Sequence, residues 1–295
     1  MMDVQPHKTN VFANIATMAY RNLLKTLHNP DKFLDVIVQP VMFMLMFGFL
    51  FGGAIAGNVH AYLPTIVPGI LMQALISAAA GSGTQISDDL NSGIYDRLKS
   101  LPIAHIAPLA GQLFADILRL FIAAVASLTT GFLMGWRPAA GFGWVIVVVV
   151  LDVFLGWALS WIFALYGMLA KSSTMVESVS LITMLLLTFL SSAFVPVKTL
   201  PHAMQILVNI NPVSYVIQAS RMMLNHGAWP TQAWIVLGAG VLVVAIFAPL
   251  TVYVYNHKNY VKTASDDYLS EAVFEYVSLF KTSGDFITFF QKVTG

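Results

Sequence analysis

DDLNSGIYDRLKSLPIAH, residues Asp88 to His105, lies between two long apolar runs, Pro64–Gln85 and Ala107–Gly135. It holds five of the charged residues in a chain with 15 Lys and Arg and 14 Asp and Glu. Charge gathered between two greasy stretches marks a loop held out of lipid while helices on either side cross it. The whole composition agrees, at 58% hydrophobic and 10% charged, against roughly 25% charged in soluble proteins. The chain reads as an all-α integral membrane protein.

A bilayer core needs about 20 apolar residues in a helix. Working outward from the loop, six stretches qualify: Val36–Ala56, Pro64–Gln85, Ala107–Gly135, Trp144–Leu169, Val176–Val195 and Ala233–Tyr253. The third and fourth exceed a perpendicular crossing, which predicts tilt or extension beyond the bilayer. An even number puts both termini on one side. Lys8, Arg21, Lys25, Lys32, Arg97, Lys99, Lys171, Lys258, Lys262, Lys281 and Lys292 fall on the side of the termini and the 88–105 loop, against Arg137, Lys198 and Arg221 opposite. The excess of cations predicts that the termini and this loop are cytoplasmic.

Several classes of function drop out. The formal net charge is +1 and no run of Lys and Arg occurs, so nucleic acid is not an expected partner. There are no cysteines, which removes disulfides, thiolate metal sites and cysteine nucleophiles. Seven scattered histidines form no H-E-x-x-H or helical pair, so no metal site is expected. There is no G-x-S-x-G elbow and no G-x-x-x-x-G-K-[ST] phosphate loop. The chain is therefore not expected to be an enzyme, and its N-terminus shows no apolar block with a cleavage site, so insertion is expected to use the first span.

Before the first span, Phe12, Ile15, Ala19, Leu23 and Leu27 share a helical stripe, with Arg21 and Lys25 elsewhere. This predicts an amphipathic helix at the inner interface, ended near Pro30, or a cytosolic helix packed on a partner. Between Phe194 and Trp229, prolines at 196, 201 and 212 break the pattern into two short apolar segments. Broken helix at membrane depth is tolerated when buried in protein or lining a cavity, so a re-entrant hairpin on the extracellular side is expected. In the opening stretch, Ile94, Leu98 and Leu101 share a face between Gly93 and Pro102. A short mixed-charge helix of this kind suits a groove on a soluble partner; as a solvated loop it would only keep charge out of lipid.

The same stretch resembles the cytoplasmic loop of the ABC-2 type permeases, with an acidic residue, Gly, an acidic-Arg-Leu triplet and Pro in order. The likeness continues through LAGQLFADILRL (Leu109–Leu120), LGWALSWIFALYGMLAKSS (Leu155–Ser173) and LTFLSSAFVPVKTLPHAMQILVNINPVSYVIQASRMM (Leu187–Met223). It covers roughly residues 10 to 260 and is nearest the branch of drug exporters typified by daunorubicin resistance. The resemblance implies a homodimer of six-helix half-transporters in the inner membrane of a prokaryote. Each would bind a separate ATPase subunit that holds ATP and Mg, so this chain needs no cofactor, and membrane lipids and an amphipathic substrate complete its partners. It further implies that Asp88, Asp89, Gly93, Asp96, Arg97, Leu98 and Pro102 form a coupling helix. Phe12, Ile15, Arg21, Leu23 and Lys25 would belong to the connecting helix beside it. Phe194, Pro196, Pro201, Asn211, Pro212 and Tyr215 would form the outer gate. The expected domains are 1–32 with the connecting helix, 33–262 as the transmembrane domain, and 263–295 as a cytoplasmic extension. The family's dimer seam runs along the first and fifth spans, and Gly48-x-x-x-Gly52 is compatible with close approach there.

Ionisable groups within spans are functional suspects. Asp116 and Arg119 stand three apart on one helix face, which allows an ion pair. Asp152 lies eight residues from Trp144, about 12 Å along the helix and toward mid-bilayer. It either faces a hydrated path or sits in a helix contact bonded to hydroxyls. The substrate path is expected among Met72, Gln73 and Ile76 of the second span and Thr183, Leu187 and Leu190 of the fifth, unless these are ordinary packing. After Lys262 the likeness stops; Leu269, Val273, Tyr276 and Phe280 share a face, expected to pack on the membrane or a partner. The expected function is the permease subunit of an ATP-driven exporter of amphipathic drugs, lipids or related compounds. The alternatives are an ion-coupled transporter or channel using Asp152 or the Asp116/Arg119 pair, and a scaffold or immunity protein that moves nothing.

Overall fold

The computed structural model describes residues 11–28, 30–99, 106–194 and 201–257, and every element among them is an α-helix. In chain order these are α1 (Val11–Leu27), α2 (Pro30–Ala56), α3 (Val59–Asn91), α4 (Ile94–Lys99), α5 (Ala107–Leu133), α6 (Phe142–Leu169), α7 (Ser173–Phe189), α8 (His202–Ile210), α9 (Pro212–His226) and α10 (Thr231–His257). Five contain stretches long and apolar enough to cross a membrane: Leu34–Ala56, Val59–Asn91, Ala107–Leu133, Phe142–Leu169 and Thr231–Asn256. The chain is a multi-pass membrane protein. The 263–295 extension, with its Leu269 to Phe280 stripe, lies outside the described residues, as do Pro102 and Pro196.

α3 is the axis of the fold. Its 33 residues extend about 50 Å, and it packs against α2, α5, α6, α7 and α9. Apolar residues occur all round it, as a helix enclosed by other helices requires. Small residues set its closest crossings. Gly83 and Gly167 bring the backbones of α3 and α6 together, and Gly69 meets the Ala193 carbonyl.

The fifth expected span, Val176–Val195, is present only in part. α7 has 17 residues, about 25 Å against the roughly 30 Å of a bilayer core. It stops at Phe189 because hydroxyls and distant side chains take over its backbone: Ser191 Oγ donates to the Thr188 carbonyl at 2.6 Å and accepts from the Ala193 N–H at 3.2 Å. Residues 190–194 then fold inward as a turn.

α1 forms as expected, with a different packed face. Among the described side chains of α1, Met18 and Asn22 are buried, while Ile15, Ala19 and Leu23 are half-buried. The cause lies on α5, where Gly111 leaves room for the α1 backbone at Met18 and Ala19. Closest approach follows the small residue rather than the greasiest stripe. Gly48 packs against Met134 and Gly52 against Val59, both within this chain.

Candidate functional site

Three polar arrangements stand along α3. At its C-terminal end, Ser92 and Gly93 turn the chain, with Gly93 in the left-handed region at φ 68°, and α4 follows. Lys25 of α1 donates to Asp89, which is 5% exposed, tying α1 to the last turn of α3. α4 docks through Tyr95, buried edge-on against Tyr255 of α10 with ring centroids 5.6 Å apart. Ile94 and Leu98 are half-buried, Asp88 is half-buried and Arg97 is exposed. Only the backbone of Asp96 is described, and Leu101, with Pro102, lies outside.

Midway, Asp116 and Arg119 form the expected ion pair at 2.8 Å. Ser82 of α3 donates to Asp116 and accepts from Arg119 at 2.8 Å. Gln112 donates to Gln85 at 3.1 Å and to Asp116 at 3.3 Å. Two charges taken out of water demand such partners, and the network binds α3 to α5. Arg119 also forms part of the wall of a cleft of about 600 Å³ between α2, α3 and α7. α3 contributes Ala74, Ser77, Gly81 and Thr84 to it, α2 contributes Asp35 and Gln39, and α7 contributes Glu177, Ser180 and Met184. Ser77 donates to Gln39 across the cleft wall.

The expected substrate path lies on neighbouring faces. Met72 and Ile76 are 0% exposed and Gln73 is 2% exposed, inside the core of one chain. Thr183 donates to its own helix at Val179, 2.9 Å, and Leu187 and Leu190 are half-buried above the cleft residues of α7. Helix periodicity could not separate these faces, because α3 is apolar on every side. The stripe of small residues Ala74, Ser77, Ala78 and Gly81 was the available signal. Asp152 is fully buried and accepts from Ser220 of α9 at 2.9 Å, the helix contact named above as one alternative.

At the far end of α3, Tyr62 donates to the Phe194 carbonyl at 2.6 Å, and Phe194 stacks on Phe47 at 4.3 Å. Asn211 donates to the Leu187 and Leu190 carbonyls, each at 2.8 Å, and caps α9 by accepting from the Val213 N–H. Tyr215 is half-buried, while Pro201 and Pro212 are exposed at helix starts. A residue given no role by sequence reasoning holds this end together. Arg221 of α9 donates to the carbonyls of Thr65 at 2.9 Å, Ser192 at 2.6 Å and Ala193 at 3.1 Å.

A continuous helical bundle, a short docked helix at one end and a polar cleft beside its axis are the parts of a membrane permease. The description "ABC-2 type transporter" matches residues 13–225. The chain is 34% identical over 257 residues to the daunorubicin resistance ABC transporter permease protein of Streptomyces coeruleorubidus, covering 86% of this chain and 90% of that protein. It is 27% identical over 214 residues to a probable doxorubicin resistance ABC transporter permease protein of Mycobacterium tuberculosis, covering 72% and 77%. On a match across most of its helices and a relative aligned nearly end to end, the chain belongs to the ABC-2 type transporter family.

Proposed function

We propose that this chain is the membrane half of an ATP-driven exporter, taking an amphipathic compound from the inner leaflet into the α2/α3/α7 cleft and releasing it past the Tyr62/Arg221 end. The observation that carries the reading is that α3 reaches all three polar arrangements: Asp89 beside α4, Ser77 and Thr84 on the cleft, Tyr62 and Thr65 at the far end. A displacement of α4 is passed along one rigid helix to the cargo and the exit. Family membership implies a partner ABC ATPase. In this reading the ATPase seats on α4, with Arg97 and Asp96 as its polar contacts and α1 as the connecting helix. Both termini are cytoplasmic, two copies pair, residues 33–262 form the transmembrane domain, and α8 and α9 form the re-entrant hairpin over the extracellular exit. The drug-resistance names of the relatives favour drug-like cargo. The deciding experiment is ATP-dependent efflux from vesicles holding the chain and its ABC ATPase, wild type against Arg97→Ala. Efflux that needs ATP and falls in the variant supports the reading. Efflux that follows an ion gradient and survives nucleotide depletion replaces it with the ion-coupled alternative.

A further inference from the structure

A second recess lies on another flank of α2, and it shares no lining residue with the cleft. Ile37, Val41, Leu45 and Phe49 recur at every fourth position of α2 and face α5, from Leu118 to Met134 at its end, across a groove of about 850 Å³. From Ile37 to Phe49 the groove runs about 18 Å, a little more than one leaflet of a bilayer core roughly 30 Å thick. Its lining is apolar apart from two threonines, and the Thr130 hydroxyl is spent on its own helix, donating to the Ala126 carbonyl at 2.8 Å. What fills such a groove must be narrow. Helices associate in lipid where small residues let their backbones approach, but here Phe49, Phe121 and Leu133 stand exposed along the rim. A helix packed at the usual 8–10 Å between axes would meet those side chains, whereas a flexible hydrocarbon chain can lie between them.

The end of the groove opposite α4 is basic. The stretches that join spans there, 57–58, 134–141 and 190–230, contain no Asp or Glu. Met134 closes the groove by reaching Gly48 of α2. Three residues further on, Arg137 is exposed, and its Nη1 donates to the carbonyls of Phe132 at 3.0 Å and Trp136 at 2.9 Å, which holds the guanidinium over the end of α5. His60 of α3, also exposed, lies against Gly135, where a Cβ would come within 2.6 Å of its ring. Neither basic side chain meets a carboxylate among the described residues. We infer that the groove holds one acyl chain of an anionic phospholipid, with the phosphate at Arg137 and His60 and the chain running from Phe49 toward Ile37. This lipid is a resident of the bundle and not cargo, because its groove is separate from the cleft. The inference rests on the exporter reading only for the leaflet, which that orientation makes the outer one.

The test is native mass spectrometry of the full-length chain in detergent, titrated with dioleoyl phosphatidylglycerol or dioleoyl phosphatidylcholine, which share their chains and differ in net charge. Wild type is expected to hold one phosphatidylglycerol about fivefold more tightly than phosphatidylcholine. His60→Gln with Arg137→Gln removes that preference by weakening the anionic lipid alone. Thr129→Trp, at an exposed position in the groove, displaces both lipids, while Val241→Trp, equally exposed on α10, leaves both bound. Equal binding of the two lipids by wild type overturns the inference, as does a preference that survives the double substitution or a lipid retained by Thr129→Trp. A second copy in the groove, seen as a lipid-free dimer that Thr129→Trp breaks, overturns it too. Binding in detergent needs neither an ATPase nor an orientation, so failure here leaves the exporter reading intact, and absence of ATP-driven efflux leaves this site standing.

Discussion

Lys25 in α1 and Asp89, two residues from the end of α3, are 64 positions apart and joined by an ion pair whose carboxylate is almost fully buried. It fastens α1 to the axis of the bundle beside α4. Lys25→Ala should loosen it by about 1 kcal/mol, a factor of roughly five in docking. Basal ATP hydrolysis by the assembled transporter is expected to persist while efflux per ATP drops several-fold. Unchanged stoichiometry would show that α1 transmits nothing.

The crossing of α3 and α6 leaves no space for a side chain at Gly167, whose Cβ would run into the Gly83 backbone. Gly167→Val should cost about 1–3 kcal/mol through forced separation of the helices. Gly143, with open space around it, provides the control. Thermal unfolding in detergent is expected to shift down for the first substitution and stay within error for the second.

Asp152 is expected to be structural. Asp152→Asn keeps an acceptor for Ser220 and should leave efflux within about twofold of wild type, whereas Ser220→Ala strands a buried carboxyl and should cost roughly 1–3 kcal/mol of stability. Loss of transport in a well-expressed Asp152→Asn protein would return this carboxylate to the ion-coupled alternative.

Arg221 holds three carbonyls from two other parts of the chain. Arg221→Ala should open the Tyr62 end by removing about 2–4 kcal/mol of charge-assisted bonding. The chain has no cysteine, so a single Ser192→Cys reports the change. Labelling of that thiol from the outer side by a membrane-impermeant maleimide is expected to rise at least several-fold in the Arg221→Ala background. Equal labelling would mean the carbonyls are held by other groups.

The crossings were legible because hydropathy sums over some twenty residues, and the scattered errors cancel. Five of the six stretches match long apolar helices. The Asp116/Arg119 pair was legible too, since its spacing is local. What depended on tertiary placement was not. Asp35 and Glu177 sit at the ends of apolar runs and look like ordinary flanking charges until the cleft brings them to one wall. Arg221 read as one of three outer cations, because Thr65 and Ser192 lie 156 and 29 positions away. On α4, Ile94 and Leu98 had the right spacing for a docking face, yet Tyr95 carries the burial, its partner being a tyrosine 160 residues downstream by position.

The end of α7 bears on how the chain is made. Its last carbonyls are met by Asn211, 24 residues beyond Leu187, and the turn that follows by Arg221, 29 residues beyond Ser192. When α7 first leaves the ribosome, those donors have not been synthesised. A helix of 17 residues then faces lipid with too little length and with bare carbonyls, a state hydrocarbon does not tolerate. Stable packing of the end of α7 therefore waits for α9, which brings Asn211 and Arg221 to these carbonyls.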